Sequence, residues 1–369
     1  MPSALIICTE VFANGGIQRF NRTLLDACGG LGIACAVLSL NDSAETVRAH
    51  AHDHRHHVAG FGGNRVRFAA AVARQLLFGR HRRVLIGHIN FLTLCVGVLA
   101  LRPLRAATLM LVAHGIEVWS GIGSRRALAL GRVDRILCVS HYTRRRIDEQ
   151  VPGLDDRRFV IFPNALADSW RQTVPADFTR PVPQRFILSV TRLEPGDRYK
   201  GVATVIEAFS MLSDAEVHYL IVGHGRDADF LRAMAARFGV ADRVHFVRGV
   251  SDAELIGLYR RCEAFVLPSG KEGFGIVFLE AMFFGAPVIA AREKGAVDVV
   301  RDGETGIAVP FGDVIAVKRA IERLAADSVL RERLRANGLS LVTDEGPFTF
   351  ASFARRCLAQ LGPETADAA

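Results

Sequence analysis

Residues 269–290 read SGKEGFGIVFLEAMFFGAPVIA. The apolar run Ala264–Pro268 just before them has the length and composition of a buried strand that ends at Pro268. Gly270, Gly273 and Gly275 then allow tight turns and close approach of the main chain, and a helix is expected from about Ile276. Main-chain N–H groups at such a helix start suit a phosphate. Glu272 falls in the loop and Glu280 follows eight residues later, about two helical turns further along, so the two carboxylates sit at different depths. One could hydrogen-bond a sugar hydroxyl and the other a more distant hydroxyl pair such as a ribose. Taken alone, the same spacing also reads as a helix cap followed by a solvated helix residue.

Working outward, the same strand and helix alternation fills the chain. Phe186–Thr191, His218–Val222, Val244–Val247, Pro287–Ala290 and Ile307–Val309 read as further strands around Ala264–Pro268. Upstream, Ala4–Thr9, Ala34–Leu40, Val84–Ile89, Thr108–Ala113, Arg135–Val139 and Phe159–Phe162 form a second set, with helical patterns such as Gln18–Ala27 and Arg67–Phe78 between them. Between the sets, RQTVPADFTRPVPQR at residues 171–185 carries three prolines, a density that stops helix and strand alike. The expected organisation is therefore a first domain over 1–170, a linker over 171–185, a second domain over 186–345, and a last segment, 346–369. That segment holds a helix at Phe348–Leu361, expected to pack back toward the first domain. Each domain reads as an α/β doubly wound parallel sheet. In such sheets ligands bind outside the carboxyl ends of the strands, so two of them can face each other across a cleft.

Composition is that of a globular enzyme: 369 residues, 50% hydrophobic and 23% charged, which excludes disordered and collagen-like classes. The seven cysteines are scattered and never spaced as C-x-x-C, so no zinc site or disulfide framework is expected and a reducing cytoplasm fits. The amino terminus lacks the basic start and small-residue cleavage site of a secretory signal. Leu85–Leu101 is the most apolar stretch, but it contains His88 and Asn90 and is short of a span, so it reads as a buried strand over Val84–Asn90 followed by a core helix. Net charge is +8, and residues 1–170 hold the whole excess, with 21 Arg, no Lys and 12 acidic residues against 25 basic and 26 acidic residues in 171–369. Such asymmetry suggests an acidic partner.

The 269–290 segment resembles the retaining family-4 glycosyltransferases of the two-domain GT-B fold. Their signature Glu-x-Phe-Gly-x4-Glu, followed by Ala and Gly-x-Pro-Val, is matched by Glu272, Phe274, Gly275, Glu280, Ala281, Gly285, Pro287 and Val288. Gly15–Gly16, Pro163–Asn164, Arg192 with Lys200–Gly201, Gly223 with Gly225, and Gly249 before Ser251 follow the family order. The resemblance implies a GT-B pair of Rossmann-like domains and transfer of a sugar from a UDP-, GDP- or ADP-sugar, with retention, to a saccharide or lipid-linked acceptor, as in polysaccharide biosynthesis. It implies that Glu272 contacts the donor sugar, that Glu280 contacts the ribose, and that amides of Phe274, Gly275, Ile276 and Val277 hold sugar and diphosphate. Arg192 and Lys200 match the family's cationic pair. They would stabilise the leaving diphosphate without a metal or any other cofactor, the nucleotide-sugar being a substrate. Lys200 follows Arg192 by eight positions where about six is commoner in the family, which makes Arg198 the substitute should Lys200 fall short. The turns at Gly223 and at Gly249–Val250 would lie near the base.

In the first domain, Gly15 and Gly16 precede a helix start where substrate can approach main-chain amides. His114 ends the run Thr108–Ala113, a position that in this fold points toward sugar or acceptor, and Glu117 is a further acceptor-side candidate. Asp227 and Asp229 have a metal-like spacing but open a helix, where carboxylates favour the dipole. The histidines at 50, 52, 54, 56 and 57 look like an exposed loop or edge segment. A nucleotide-sugar epimerase of the same fold and a basic nucleic-acid-binding protein are the alternatives. The latter lacks aromatic and basic interleaving, so no nucleic-acid partner is expected. The basic first domain suits a cytoplasmic protein lying peripherally on the inner, anionic face of a membrane.

Overall fold

The structure, a computed structural model, describes residues 4–50, 56–101, 107–176, 178, 181–343 and 345–362. The chain forms two compact units, Met1–Ala167 with Phe350–Ala369, and Asp168–Thr349. The first holds strands β1 (Ala4–Cys8), β2 (Cys35–Ser39), β3 (His57–Gly60), β4 (Arg83–Ile86), β5 (Thr108–Ala113), β6 (Arg135–Cys138) and β7 (Phe159–Ile161). The second holds β8 (Phe186–Val190), β9 (His218–Val222), β10 (Val244–Val247), β11 (Ala264–Leu267), β12 (Val288–Ala291) and β13 (Ile307–Val309).

Both sheets are parallel, in the orders β3-β2-β1-β4-β5-β6-β7 and β10-β9-β8-β11-β12-β13. In each the chain starts on an inner strand, winds to one edge, then returns and winds to the other. The reversal falls between β1 and β4 and between β8 and β11, and at such a point the loops leave the strand ends in opposite directions and open a crevice. β1, β2 and β11 are buried along their whole length, as expected where crossovers cover both faces. Two doubly wound sheets of seven and six strands therefore carry the expected fold class. The edge strand β3 has no sequence counterpart among the expected strands. It is half-buried and starts at His57, beside a polar run.

Local chemistry sets the element ends. Asn64 caps the helix Arg65–Phe78 through the Arg67 amide at 3.0 Å, and Ser251 and Glu254 form a reciprocal capping box on Asp252–Arg261. Leu85–Leu101 resolves into β4, a short 3₁₀ turn and the helix Leu92–Leu99. Among the described residues no helix is long and apolar enough to cross a membrane. A five-residue helix, Asp168–Gln172, occupies the first two positions of the proline-rich segment, ahead of its prolines. All seven cysteines are buried and free.

The last helix, Phe350–Leu361, belongs to the first unit. Phe353, Phe20 and Phe162 meet edge to face with centroids 5.0–6.0 Å apart, and all are buried. Phe353→Ala removes the ring that closes this cluster and is expected to cost about 3–5 kcal/mol, the range for a buried Phe truncation. Chemical denaturation should show the first unit losing that stability while the transition of the second unit stays in place.

Candidate functional site

In the second unit, β8 and β11 pair through two residues only, Ile187 with Ala264 and Leu188 with Phe265. Beyond that they part, and the loops leaving them carry the expected donor residues. The β8 loop runs through Arg192 into a 3₁₀ turn at Pro195–Lys200, and the β11 loop carries Glu272 to Gly275 into the helix Ile276–Phe283. Lys200 Nζ lies 2.8 Å from Glu272 Oε2, and both side chains are mostly buried. The two loops also share main-chain contacts: the Gly270 amide donates to the Tyr199 carbonyl at 2.7 Å. The eight-residue spacing from Arg192 is thus accommodated by the 3₁₀ turn, which delivers Lys200 to Glu272.

Arg192 is exposed and pairs with Asp197 at 3.2 Å. Asp197 also accepts the Tyr199 hydroxyl at 3.0 Å, and burial beside this carboxylate pushes the phenol pKa upward. Arg198 is committed elsewhere. Its guanidinium binds both oxygens of the buried Asp227 at 2.7–3.1 Å and lies 4.2 Å above the Phe230 ring. Asp227 therefore holds an arginine, a stronger reason for its presence than the helix dipole. No group of His, Cys, Asp or Glu that could hold a metal occurs among the described residues.

The helix Ile276–Phe283 starts from Gly275 at φ 95° with no side-chain cap. A Cβ at Gly275 would stand 2.3 Å from the Phe278 ring, so both the left-handed backbone and the space require glycine. Phe274 is buried, whereas Ile276 and Val277 are partly accessible. Glu280 is completely buried, which rules out a solvated helix residue, and its Oε2 accepts the Tyr259 hydroxyl at 3.0 Å. Tyr259 is a site-supporting residue that the sequence did not announce, because it lies 21 positions upstream on another helix. The turns after β9 and β10, with Gly223 and Gly249–Val250, lie at the same end of the sheet. Gly223 is pressed against the β8 loop, since a Cβ there would come within 1.9 Å of the Thr191 carbonyl oxygen.

In the first unit, Gly15 precedes the helix Gly16–Gly30, which begins after β1 without a side-chain cap. The connecting loop is held firmly: Glu10 accepts from Gln18 at 2.7 Å and Asn41 at 3.0 Å, and the buried Asp42 accepts the Val11 amide at 2.7 Å. His114 stands at the carboxyl end of β5, with Nε2 3.0 Å from the Gly87 carbonyl at the end of β4 and its ring edge-on to Phe20 at 4.9 Å. The ring hydrogen belongs on Nε2, so Nδ1 keeps its lone pair and accepts. Burial pushes the His114 pKa down to about 4. Glu117 turns back to accept the His114 and Gly115 amides at 2.6 and 3.2 Å, so its carboxylate shapes the loop.

His88 and Asn90 join this end of the sheet. The Asn90 amide donates to His88 Nδ1 at 3.2 Å and Arg126 donates to Asn90 Oδ1 at 2.8 Å. Burial lowers the His88 pKa. Their signal was present as polar residues inside an apolar run. Of the histidine-rich stretch, His52 and His54 lie outside the described residues. His50 stacks on Phe12 at 4.5 Å and His56 Nε2 approaches the Leu25 carbonyl at 2.7 Å.

Residues 14–169 match the family described as Glycosyltransferase Family 4, and residues 171–340 match Glycosyl transferases group 1. The chain is similar to a GDP-mannose-dependent α-(1-6)-phosphatidylinositol monomannoside mannosyltransferase of Mycolicibacterium smegmatis, 35% identical over 66% of this chain and 69% of that one. It is also similar to the lipopolysaccharide core biosynthesis glycosyltransferase LpsE of Rhizobium meliloti, 37% identical over 38% of this chain and 40% of the relative. Among solved structures, HepE of Anabaena in complex with UDP superposes with a TM-score of 0.77 at 18% identity, covering 97% of this chain and 99% of that one.

Two outcomes follow from the geometry. Tyr259→Phe keeps the ring but removes one hydrogen bond to Glu280, and should cost about 1.5–3 kcal/mol, the scale for a hydrogen bond to a charged group. Denaturation of the second unit reads this directly. His114 is neutral when folded down to about pH 4 but takes a proton below about 6.5 when unfolded. The unfolded state therefore binds more protons in that window, and this residue makes the first unit lose stability as pH falls through it. His114→Gln should flatten that part of the pH profile of the denaturation midpoint, and an unchanged profile would contradict the assignment.

Proposed function

Because this chain belongs to glycosyltransferase family 4, we propose that it is a retaining, metal-independent hexosyltransferase that moves mannose from GDP-mannose to a phosphoinositide or other lipid-linked acceptor. The observation that carries the reading is the Lys200–Glu272 pair, set where β8 and β11 diverge and beside the uncapped start of Ile276–Phe283. It combines, at one point, a cation for a departing diphosphate, a carboxylate for a sugar hydroxyl and main-chain amides for phosphate oxygens. Mannose and the inositol-containing acceptor are supported by the names of relatives, among them the phosphatidyl-myo-inositol mannosyltransferase of Mycobacterium leprae, 37% identical over 39% of this chain.

In this reading the bond from the sugar's anomeric carbon to the diphosphate breaks with its electron pair on the phosphate oxygen, the acceptor's hydroxyl oxygen bonds that carbon on the same face, and its proton passes to the departing diphosphate. Arg192 and Lys200 supply positive charge to the phosphate oxygen. Glu272 holds a sugar hydroxyl and keeps Lys200 in place, and Glu280, held by Tyr259, serves the ribose. His114, neutral with Nδ1 as acceptor, accepts a hydrogen bond from a hydroxyl of the acceptor substrate. An anionic membrane surface beside the arginine-rich first half would hold a lipid acceptor nearby, each basic side chain close to it contributing about 1 kcal/mol.

The pair makes a specific demand. Arg192→Ala and Lys200→Ala should each slow turnover by about 3 kcal/mol of barrier, the scale for one lost transition-state contact. Lys200→Ala and Glu272→Ala should not add: a double-mutant cycle is expected to give about 0.5–3 kcal/mol of coupling. Steady-state assays with GDP-mannose, in excess chelator and with the product anomer read by NMR, test the whole reading. Preference for a UDP-sugar would replace the donor, an inverted product would remove retention, and activity that only magnesium restores would remove the cationic-pair mechanism.

A further inference from the structure

Away from these residues, a polar pocket of about 400 Å³ opens at the amino ends of β4, β5 and β6. In a parallel sheet this is the opposite end from Gly15, His88 and His114. Strand register builds it. Arg83 opens β4 opposite Thr108, which opens β5; Arg135 opens β6 opposite Met110; and Arg158 directly precedes β7. Asp134 and Gln360 complete the polar wall, the latter from the last helix.

Arg135 and Arg158 are anchored by main-chain carbonyls. Arg158 Nη1 donates to the Gly131 and Val133 carbonyls at 2.8 and 3.0 Å, and Arg135 Nη1 donates to the Arg157 carbonyl at 3.0 Å. Neither makes an ion pair among the described residues, and each keeps its Nε and Nη2 hydrogens for another acceptor. Arg83 donates to the Thr108 hydroxyl at 3.2 Å and to the Gly362 carbonyl at 3.4 Å, tying sheet to last helix. One oxygen of Asp134 is taken by the Leu109 amide at 2.7 Å. Three guanidinium groups and one carboxylate thus line one pocket, and two of the arginines, Arg135 and Arg158, are fixed there by main-chain carbonyls with donors to spare.

We propose that this pocket binds the phosphomonoester of a small polyol phosphate. Guanidinium forks match phosphate oxygens in pairs. Thr108 and Gln360 offer neutral partners for adjoining hydroxyls, and the volume exceeds what a bare phosphate needs. Because the wall includes Gln360 and the carbonyl of Gly362 is tied to Arg83, occupancy fastens the last helix to the sheet and stabilises the first unit. The site stands independently of the donor and acceptor assigned above.

The test uses the full chain with GDP at saturation, so that any donor-side phosphate site is filled. Calorimetric titration with glycerol 3-phosphate and with inorganic phosphate should show saturable binding, tighter for the ester, and the melting temperature should rise with ligand by mass action. Arg135→Gln with Arg158→Gln should weaken binding by at least tenfold while turnover without added phosphate stays as in wild type. Arg135→Gln alone, at an exposed position that holds one carbonyl, guards against a folding defect and should show part of the loss. Vesicles containing phosphatidic acid, compared with phosphatidylcholine alone, separate the sources: arginine-dependent capture with weak ester binding assigns a lipid headgroup, and the reverse assigns a soluble ester. Equal binding by wild type and the double variant, or loss caused by Arg192→Ala instead, overturns the site.

Discussion

The short ladder between β8 and β11 is the constraint on which the second unit depends. Residue pairing between the strands ends at Leu188 and Phe265, and the buried polar groups released beyond it need partners. Ser189 supplies one. Its hydroxyl donates to the Val266 carbonyl and lies 2.7 Å from the hydroxyl of Tyr219, all within the core. A side chain thus does the work of the ladder where the ladder ends. The same opening brings Lys200 to Glu272 and leaves the amides of the next helix uncapped.

Electrostatically the two units solve different problems. In the second, cations and carboxylates are paired in place: Arg192 with Asp197, Arg198 with Asp227, Lys200 with Glu272. The last of these pairs holds positive charge against the loop that leads to the uncapped start of Ile276–Phe283. In the first unit, some arginines are tied to main-chain carbonyls, as with Arg135 and Arg158. Such anchoring fixes the side chain and leaves its charge uncompensated, so this half of the molecule keeps a positive field while the other approaches neutrality.

How much of this was legible in the sequence depends on range. Strands came through because parallel strands covered on both faces are continuous apolar runs. Thr108–Ala113 and His218–Val222 carry no polar interruption, and their ends agree with the structure. β3 escaped because an edge strand is buried less and can afford His57. Glycines at helix starts were legible from local spacing. Partners were not: Tyr259 for Glu280, Asp227 for Arg198 and Gly87 for His114 meet across 21 to 29 residues, and no local pattern announces them. Asp227 and Glu117 were read by position alone, and the structure gives each a defined task in holding an arginine or a loop.

The place of the last helix has a consequence for how the protein comes into being. Phe353 covers Phe20 across more than three hundred residues, and the whole second unit, Asp168–Thr349, lies between them in the chain. On a ribosome the order of emergence is then fixed. The second unit has all of its strands before the helix that completes the first is translated, and until then Phe20 and Phe162 lack their cover. Domains generally fold as units during synthesis, amino-terminal first. Here the amino-terminal unit finishes last, and its waiting aromatic face is what a chaperone would meet on the nascent chain.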